Sequence, residues 1–258
     1  RYRSSAASDV YKRQGEVWAA RHTQTNQPAA VKCILNHSSS HFFLRFQDEV
    51  RAVAGLQHPN IIRVLDSGQS DRGPWLAMEW ADGGALERVA DWAALKGVLR
   101  DVLAALAHAH TRGVIHRDIK PANILRIGTR WVVADFGIAS LRSVGRAPTD
   151  GDPRKTRSQG TPRYMAPEQI RGDALDQGPP TDLYALGGVA WELACGTAAV
   201  PGTTTEQVIT SHLSGMRSPF MPIFPVPERL QAWLHWLLAV APTAVSYTHL
   251  RAHETVRN

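Results

Sequence analysis

His116-Arg117-Asp118-Ile119-Lys120-Pro121-Ala122-Asn123-Ile124-Leu125 is the stretch on which the reading of this chain turns, with Asp135-Phe136-Gly137 following ten residues on. It sets a carboxylate, then an ammonium two positions later, then a carboxamide three beyond that, and the trailing triplet adds a second carboxylate. Each short motif alone carries little weight. In this order they supply a proton acceptor, a cation and two hard oxygen donors, parts that transfer of a phosphoryl group needs.

Working outward, the N-terminal side reads as strands. Glu16-Val17-Trp18-Ala19, a polar turn at Thr23–Pro28 and Ala29–Leu35 predict a hairpin. Phe42, Phe46, Val50 and Val53 fall three and four apart, which predicts a helix over His41–Leu56, stopped by His58-Pro59-Asn60. Two short apolar runs, Ile61–Leu65 and Trp75–Trp80, flank the turn-rich Asp66–Pro74 and are expected to complete a small antiparallel sheet. After Asp82-Gly83-Gly84 the character changes. Leu95, Val98, Leu99, Val102, Leu103, Leu106 and His110 form one helical stripe ending at Arg112-Gly113. Short runs follow at Val114-Ile115, Ile124-Leu125 and Trp131–Ala134, then a long polar loop over 138–163 of the kind that is usually functional. Thr181–Cys195, Thr205–Leu213 and Glu228–Val240 predict three more helices. The expected class is α+β: a β-rich N-lobe over 15–81 with one helix, and a larger, mainly helical C-lobe over 82–244.

With 258 residues, 43% hydrophobic and 20% charged, the chain can bury a core without a metal or disulfide staple. Its two cysteines, Cys33 and Cys195, exclude a disulfide framework and a four-cysteine zinc site, and both read as buried thiols. The apolar stretches Leu183–Cys195 and Ala232–Val245 are interrupted by Glu192 and His235 and fall short of a membrane span. The first residues lack the apolar core of a secretory signal, so a cytoplasmic chain is expected, any membrane anchor lying beyond residue 244. The net charge of +6 would permit an acidic partner. Its placement makes it no argument for nucleic acid or a membrane surface, and no nucleic-acid partner is expected. Arg1, Arg3, Lys12 and Arg13 against Asp9, and Arg251 and Arg257 against Glu254, put most of the excess at the two ends.

Ala30-Val31-Lys32, Glu49, Met78-Glu79, the His-Arg-Asp stretch, Asp-Phe-Gly, Gly160-Thr161-Pro162-Arg163-Tyr164-Met165-Ala166-Pro167-Glu168 and Asp182-Leu183-Tyr184-Ala185-Leu186-Gly187 occur in this order. From Gly15 to Pro242 the chain thereby resembles the serine/threonine protein kinases, in particular the eukaryote-like kinases of bacteria. The resemblance implies a two-lobed fold that transfers the γ-phosphate of ATP, with Mg²⁺ or Mn²⁺, to Ser or Thr hydroxyls of proteins, autophosphorylation included. Lys32 would hold the α- and β-phosphates and Glu49 would fix Lys32 by an ion pair. Asp135 and Asn123 would ligate the metal. Asp118 would accept the substrate proton, Lys120 would neutralise the moving phosphoryl group, and Thr161 would bridge the two. Lys120 also points to Ser/Thr specificity. Gly15, Val17, Ala30 and Leu125 would enclose the nucleotide, with Met78 at the gate of the back pocket and the backbone of Glu79–Ala81 meeting the adenine edge. Val53, Val64, His116 and Phe136 would stack between the lobes, which makes His116 a core histidine and not a base. Arg117 would receive a phosphate placed on Thr156 or Ser158, with Thr149 more remote. Ala85 and Ala122 stand where basophilic kinases carry Glu, so a strong preference for Arg upstream of the acceptor is not expected.

The pattern departs from the family at both ends. The glycine-rich loop should close on Gly15, yet Val10 and Lys12 occupy its first two glycine positions, and Val245 stands where the Arg partner of Glu168 would fall. Ser4–Gln14 and Val245–Asn258 read like translated sequencing-adapter sequence, so residues 1–14 and 245–258 are expected to be non-native flanks. With the first strand and the Glu168 partner missing, weak activity and marginal stability are expected of the chain as it stands. The alternative is a pseudokinase or nucleotide-binding scaffold. A small-molecule phosphotransferase is disfavoured by Lys120 and by Gly160–Glu168.

Overall fold

A computed structural model describes residues 2–7, 16–34, 40–136 and 162–241. Gly15, Thr156, Ser158 and Thr161 lie outside the described residues.

The N-lobe is a five-stranded antiparallel sheet in the order β1-β2-β3-β5-β4. Its strands are β1 (Tyr2–Ala7), β2 (Glu16–His22), β3 (Pro28–Cys33), β4 (Val64–Ser70) and β5 (Gly73–Glu79). The hairpin β2–β3 matches the sequence reading, with Val17 opposite Lys32 and Ala19 opposite Ala30. The strand expected at Ile61–Leu65 lies further along. β4 runs through Asp66-Ser-Gly-Gln-Ser, and the turn shrinks to Asp71-Arg72 before Gly73, whose φ is +122°. β4 is an outer strand with much of its surface in water, so it shows no apolar alternation to read.

The expected loss of the outermost strand is not seen. Tyr2–Ala7, inside the flank that the sequence sets apart, pairs with β2 around a bulge between Ser4 and Ala6. Edge pairing is made by backbone groups and places few demands on which side chains accompany them.

Helix α1 (Ser40–Ala54) lays Phe42 and Phe46 on the sheet, against Ile34, Leu76 and Met78. Val132 and Ala134, from the C-lobe, belong to the same apolar cluster, so the two lobes share packing behind the cleft.

The C-lobe is organised by two buried helices. In α2 (Trp92–His110), Asp91 caps the N-terminus by accepting from the Ala94 N–H at 2.8 Å. Its stripe Leu95, Val98, Leu99, Val102, Leu103 and Leu106 is wholly buried, each leucine contributing about 1.5–3 kcal/mol. The hairpin β6 (Ile124–Ile127) and β7 (Arg130–Val133) packs on α2 and carries Asn123 and Asp135 at its two ends. Val114-Ile115 forms no strand. The short α3 (Pro167–Arg171) precedes α4 (Pro179–Cys195), which is covered on nearly all sides and closed by Gly196 in the left-handed conformation. α5 (Thr205–Ser214) and α6 (Arg229–Leu237) complete the lobe. Where α6 crosses α4, a Cβ on Gly187 would meet the Leu237 Cβ at 3.0 Å, so glycine sets the spacing of the two helices. Cys195 is buried as expected; Cys33, at the end of β3, is partly exposed.

Candidate active site

Lys32 lies on a central strand and is nearly buried; its Nζ donates to Asp135 Oδ2 at 2.5 Å. The sequence reading paired Lys32 with Glu49. In this structure Lys32 pairs with Asp135, and Glu49 on α1 lines the same cleft together with Phe46, Val53, Met78 and Phe136. An ammonium with little access to water needs a counter-charge, and Asp135 supplies one from the loop after β7.

The segment after α2 gathers the other groups. Lys120 Nζ donates to Asp118 Oδ2 at 2.8 Å. Asn123 Nδ2 donates to the Asp118 carbonyl at 2.7 Å and to its Oδ2 at 3.3 Å. Both bonds use the amide nitrogen of Asn123, which leaves its Oδ1 as the acceptor. Asn123 Oδ1 and the Asp135 carboxylate are hard oxygen donors, a set that fits a divalent metal such as Mg²⁺. The Ala134 N–H donates to the Asn123 carbonyl at 2.8 Å, which ties the two ends of the hairpin together.

His116 is fully buried, edge-on to Phe136 at 4.6 Å between ring centroids. Its Nε2 lies 2.8 Å from the Ala134 carbonyl and its Nδ1 accepts from the Asp118 N–H at 3.2 Å. A carbonyl only accepts, so Nε2 carries the proton and the ring is the neutral Nε2–H tautomer. It is a core histidine, as the sequence reading had it. Val53 and Phe136 are buried in the same cluster, and Val64 packs against it.

Beneath this loop stands Asp182, in the first turn of α4 and fully buried. It accepts the Arg117 N–H at 2.7 Å on Oδ1, and the His116 N–H at 2.9 Å on Oδ2, which also lies 2.7 Å from His110 Nε2. Arg117 (φ +64°) and Asp135 (φ +67°) both hold left-handed backbone, which costs non-glycine residues about 1–3 kcal/mol each. The role of Asp182 was not read from the sequence, though a signal was there: a carboxylate directly before the long apolar run Leu183–Trp191.

Arg117 Nε is buried without a hydrogen-bond partner, while its carbonyl accepts from Gln169 Nε2 at 2.8 Å. Of the residues expected to enclose the nucleotide, Val17 and Ala30 are half-buried on adjacent strands and Leu125 bridges to Ala85. Met78 is buried opposite Ala30, and Glu79 and Ala81 mark the crossing between lobes.

Glu168, for which the sequence reading finds no Arg partner, is buried and accepts from Thr181 Oγ1 at 2.7 Å. Nearby, Arg217 Nη2 donates to the Tyr184 hydroxyl at 3.2 Å, so that hydroxyl gives its own proton to His212 Nδ1 at 2.7 Å. Burial, followed by the Arg217 charge, pushes His212 down to about 4, and burial lifts Tyr184 to about 12 against the opposing Arg217. Tyr164 is raised by burial and by its hydrogen bond to Glu192 at 2.7 Å.

Residues 13–251 match the family described as protein kinase domain. The serine/threonine-protein kinase pkn3 of Myxococcus xanthus is 37% identical over 240 residues, covering 84% of this chain and 43% of that protein. The DNA damage-responsive serine/threonine-protein kinase RqkA of Deinococcus radiodurans is 33% identical over 87% of this chain and 34% of its own length. The serine/threonine-protein kinase PknB of Mycobacterium tuberculosis is 35% identical over 77% of this chain and 33% of its own length. The chain thus spans less than half of each of these relatives. No helix among the described residues is long and apolar enough to cross a membrane.

Proposed function

The chain belongs to the protein kinase family, and on that premise we propose that residues 15–244 are the catalytic domain of a bacterial-type serine/threonine kinase that phosphorylates proteins from ATP. The observation that carries this is the Lys120–Asp118–Asn123 cluster, within hydrogen-bond reach on a loop anchored by Asp182.

Asp118 takes the proton of the acceptor hydroxyl and aims its oxygen at the γ-phosphorus. The new O–P bond forms as the bond to the β-phosphate oxygen breaks, and ADP leaves. A carboxylate suffices because positioning matters more than basicity in a loose transition state. Lys120 balances the charge on the group in transfer, and Lys32 holds the α- and β-phosphates. Asn123 and Asp135 would hold Mg²⁺, with Mn²⁺ as the substitute, and the metal would neutralise phosphate charge. Val17, Ala30 and Leu125 enclose the adenine. Retention of all these groups supports an enzyme over a pseudokinase. Labelled ATP on a generic protein substrate tests it: the chain transfers label and Asp118→Asn does not. Equal transfer by both would overturn the assignment.

A loop phosphate on Thr156 or Ser158, received by Arg117, is the proposed regulatory state, supported by the buried, unpaired Nε of Arg117. Replacing both acceptors with Ala lowers turnover; unchanged turnover sinks the idea. Ala85 and Ala122 support a substrate range without a strong demand for Arg, and a peptide array dominated by Arg two and three residues before the acceptor refutes it. The flanks 1–14 and 245–258 are proposed to be foreign to the kinase, which amplification of the locus from source DNA checks.

A further inference from the structure

The boundary between the lobes is tied together along one edge. The Ile62 N–H donates to the Val133 carbonyl at 2.9 Å, the Val133 N–H to the Asn60 carbonyl at 2.8 Å, and Asn60 Nδ2 to the Trp131 carbonyl at 2.9 Å. The segment after α1 thus makes a parallel bridge, Ile61 beside Val133, along the β6–β7 hairpin. At the corner nearest the crossing, Arg130 of β7 uses two nitrogens. Nη2 donates to Glu79 Oε2 at 3.1 Å, and Nη1 donates to the Pro59 carbonyl. Glu79 is engaged on both carboxylate oxygens, since its Oε1 accepts the Arg63 N–H at 2.9 Å, and its own N–H donates to the Arg63 carbonyl at 3.0 Å. The pair is part-buried, with side-chain exposures of 35% for Arg130 and 18% for Glu79.

Glu79 is the last residue of β5, and the crossing to the C-lobe begins immediately after it. One guanidinium therefore joins three pieces of chain where the backbone must hold still: the end of the last central strand, the segment following α1, and the C-lobe hairpin that carries Asn123 and Asp135. A planar fork with donors in fixed directions can do this; an ammonium, as a point donor, cannot serve both partners equally.

We propose that Arg130 is a positioning residue for nucleotide binding: with Glu79 and the Pro59 carbonyl it forms a joint that fixes the crossing backbone where it meets the adenine edge. The inference rests on the kinase reading above for what is bound, and Arg130 itself touches none of the reacting atoms. Without the joint, residues 79–81 are free to shift with the lobes, and nucleotide binding must first order them. The loss then falls on affinity and not on the chemical step.

The test uses the full chain and two readouts: steady-state kinetics with ATP, and titration with a fluorescent ADP analogue that reports binding without turnover. Arg130→Met raises KM for ATP and Kd for the analogue by about fivefold, the net worth of roughly one ordinary hydrogen bond, with kcat within about twofold. Arg130→Lys recovers part of the affinity, and Glu79→Gln, which keeps an acceptor for the Arg63 N–H, weakens it like Arg130→Met. Unchanged Kd and KM in Arg130→Met overturn the proposal even if the melting temperature drops, as does a fall in kcat at constant KM. If Arg130→Met does not fold, Arg130→Lys and Glu79→Gln decide by the same readouts. A chain that binds the analogue but transfers no phosphate defeats the kinase reading alone, and the Kd series still judges Arg130.

Discussion

Asp182 Oδ1 accepts the backbone N–H of Arg117 at 2.7 Å, across 65 positions of sequence, and so holds the residue before Asp118 in its left-handed conformation. The carboxylate is fully buried and has no water to fall back on. Asp182→Asn puts an amide N–H against donors and costs about 2–5 kcal/mol of stability. Turnover falls further than stability accounts for, because Asp118 loses its mounting. Denaturant midpoints beside kcat check both, and a variant that keeps full kcat at reduced stability would falsify the mounting role.

Lys32→Met separates charge from packing. Methionine fills most of the space of the buried lysine stem, so the melting temperature moves little, while Asp135, part-exposed, keeps access to solvent. Phosphoryl transfer falls by about 10²–10³. Calorimetry run beside the labelled-ATP assay distinguishes this outcome from general unfolding.

Thr181 carries the burden of Glu168. Its hydroxyl donates to Glu168 Oε1 at 2.7 Å and accepts the Gly178 N–H at 3.0 Å, which also closes the first turn of α4. Thr181→Val leaves a buried carboxylate oxygen without its donor and costs about 2–4 kcal/mol. Thr181→Ser restores most of it. Urea unfolding of the three proteins shows the ordering, and Val equal to Thr would assign the stability elsewhere.

His212 gives the chain an acid-sensitive component of stability. Its folded pKa of about 4 lies below the unfolded 6.5, so between these values the unfolded chain binds more protons. The contribution is complete above pH 6.5 and is lost as pH falls toward about 4, to a total on the order of 3 kcal/mol. His58 and His108 are lowered in the same direction, so the measurement is a difference between proteins. Unfolding free energy against pH is flatter over this window in His212→Gln than in the parent; parallel curves would remove His212 from the account.

What was legible in the sequence followed the physics of local signals. The stripe of α2 and the β2–β3 hairpin announce themselves by period, and Lys32 stands out as a cation in an apolar strand. Asp118, Lys120 and Asn123 were readable because they are neighbours in sequence as well as in space. β4 was misplaced because an outer strand can be polar on much of its surface. The Lys32–Asp135 pair spans 103 positions, and the Arg130–Glu79 pair 51; no local pattern encodes such contacts. Asp182 fell between the two cases, its oddness visible and its partners not.

Among the described residues, three other than glycine hold left-handed backbone, and one of them, Asn26, sits in an exposed hairpin turn where that conformation is cheap. The other two, Arg117 and Asp135, flank the reacting groups, and at both positions glycine would relieve strain. A glycine at either position would make the backbone cheaper to hold and would also remove the guanidinium or the carboxylate that the site places there, so strain and chemistry are fixed at the same two residues.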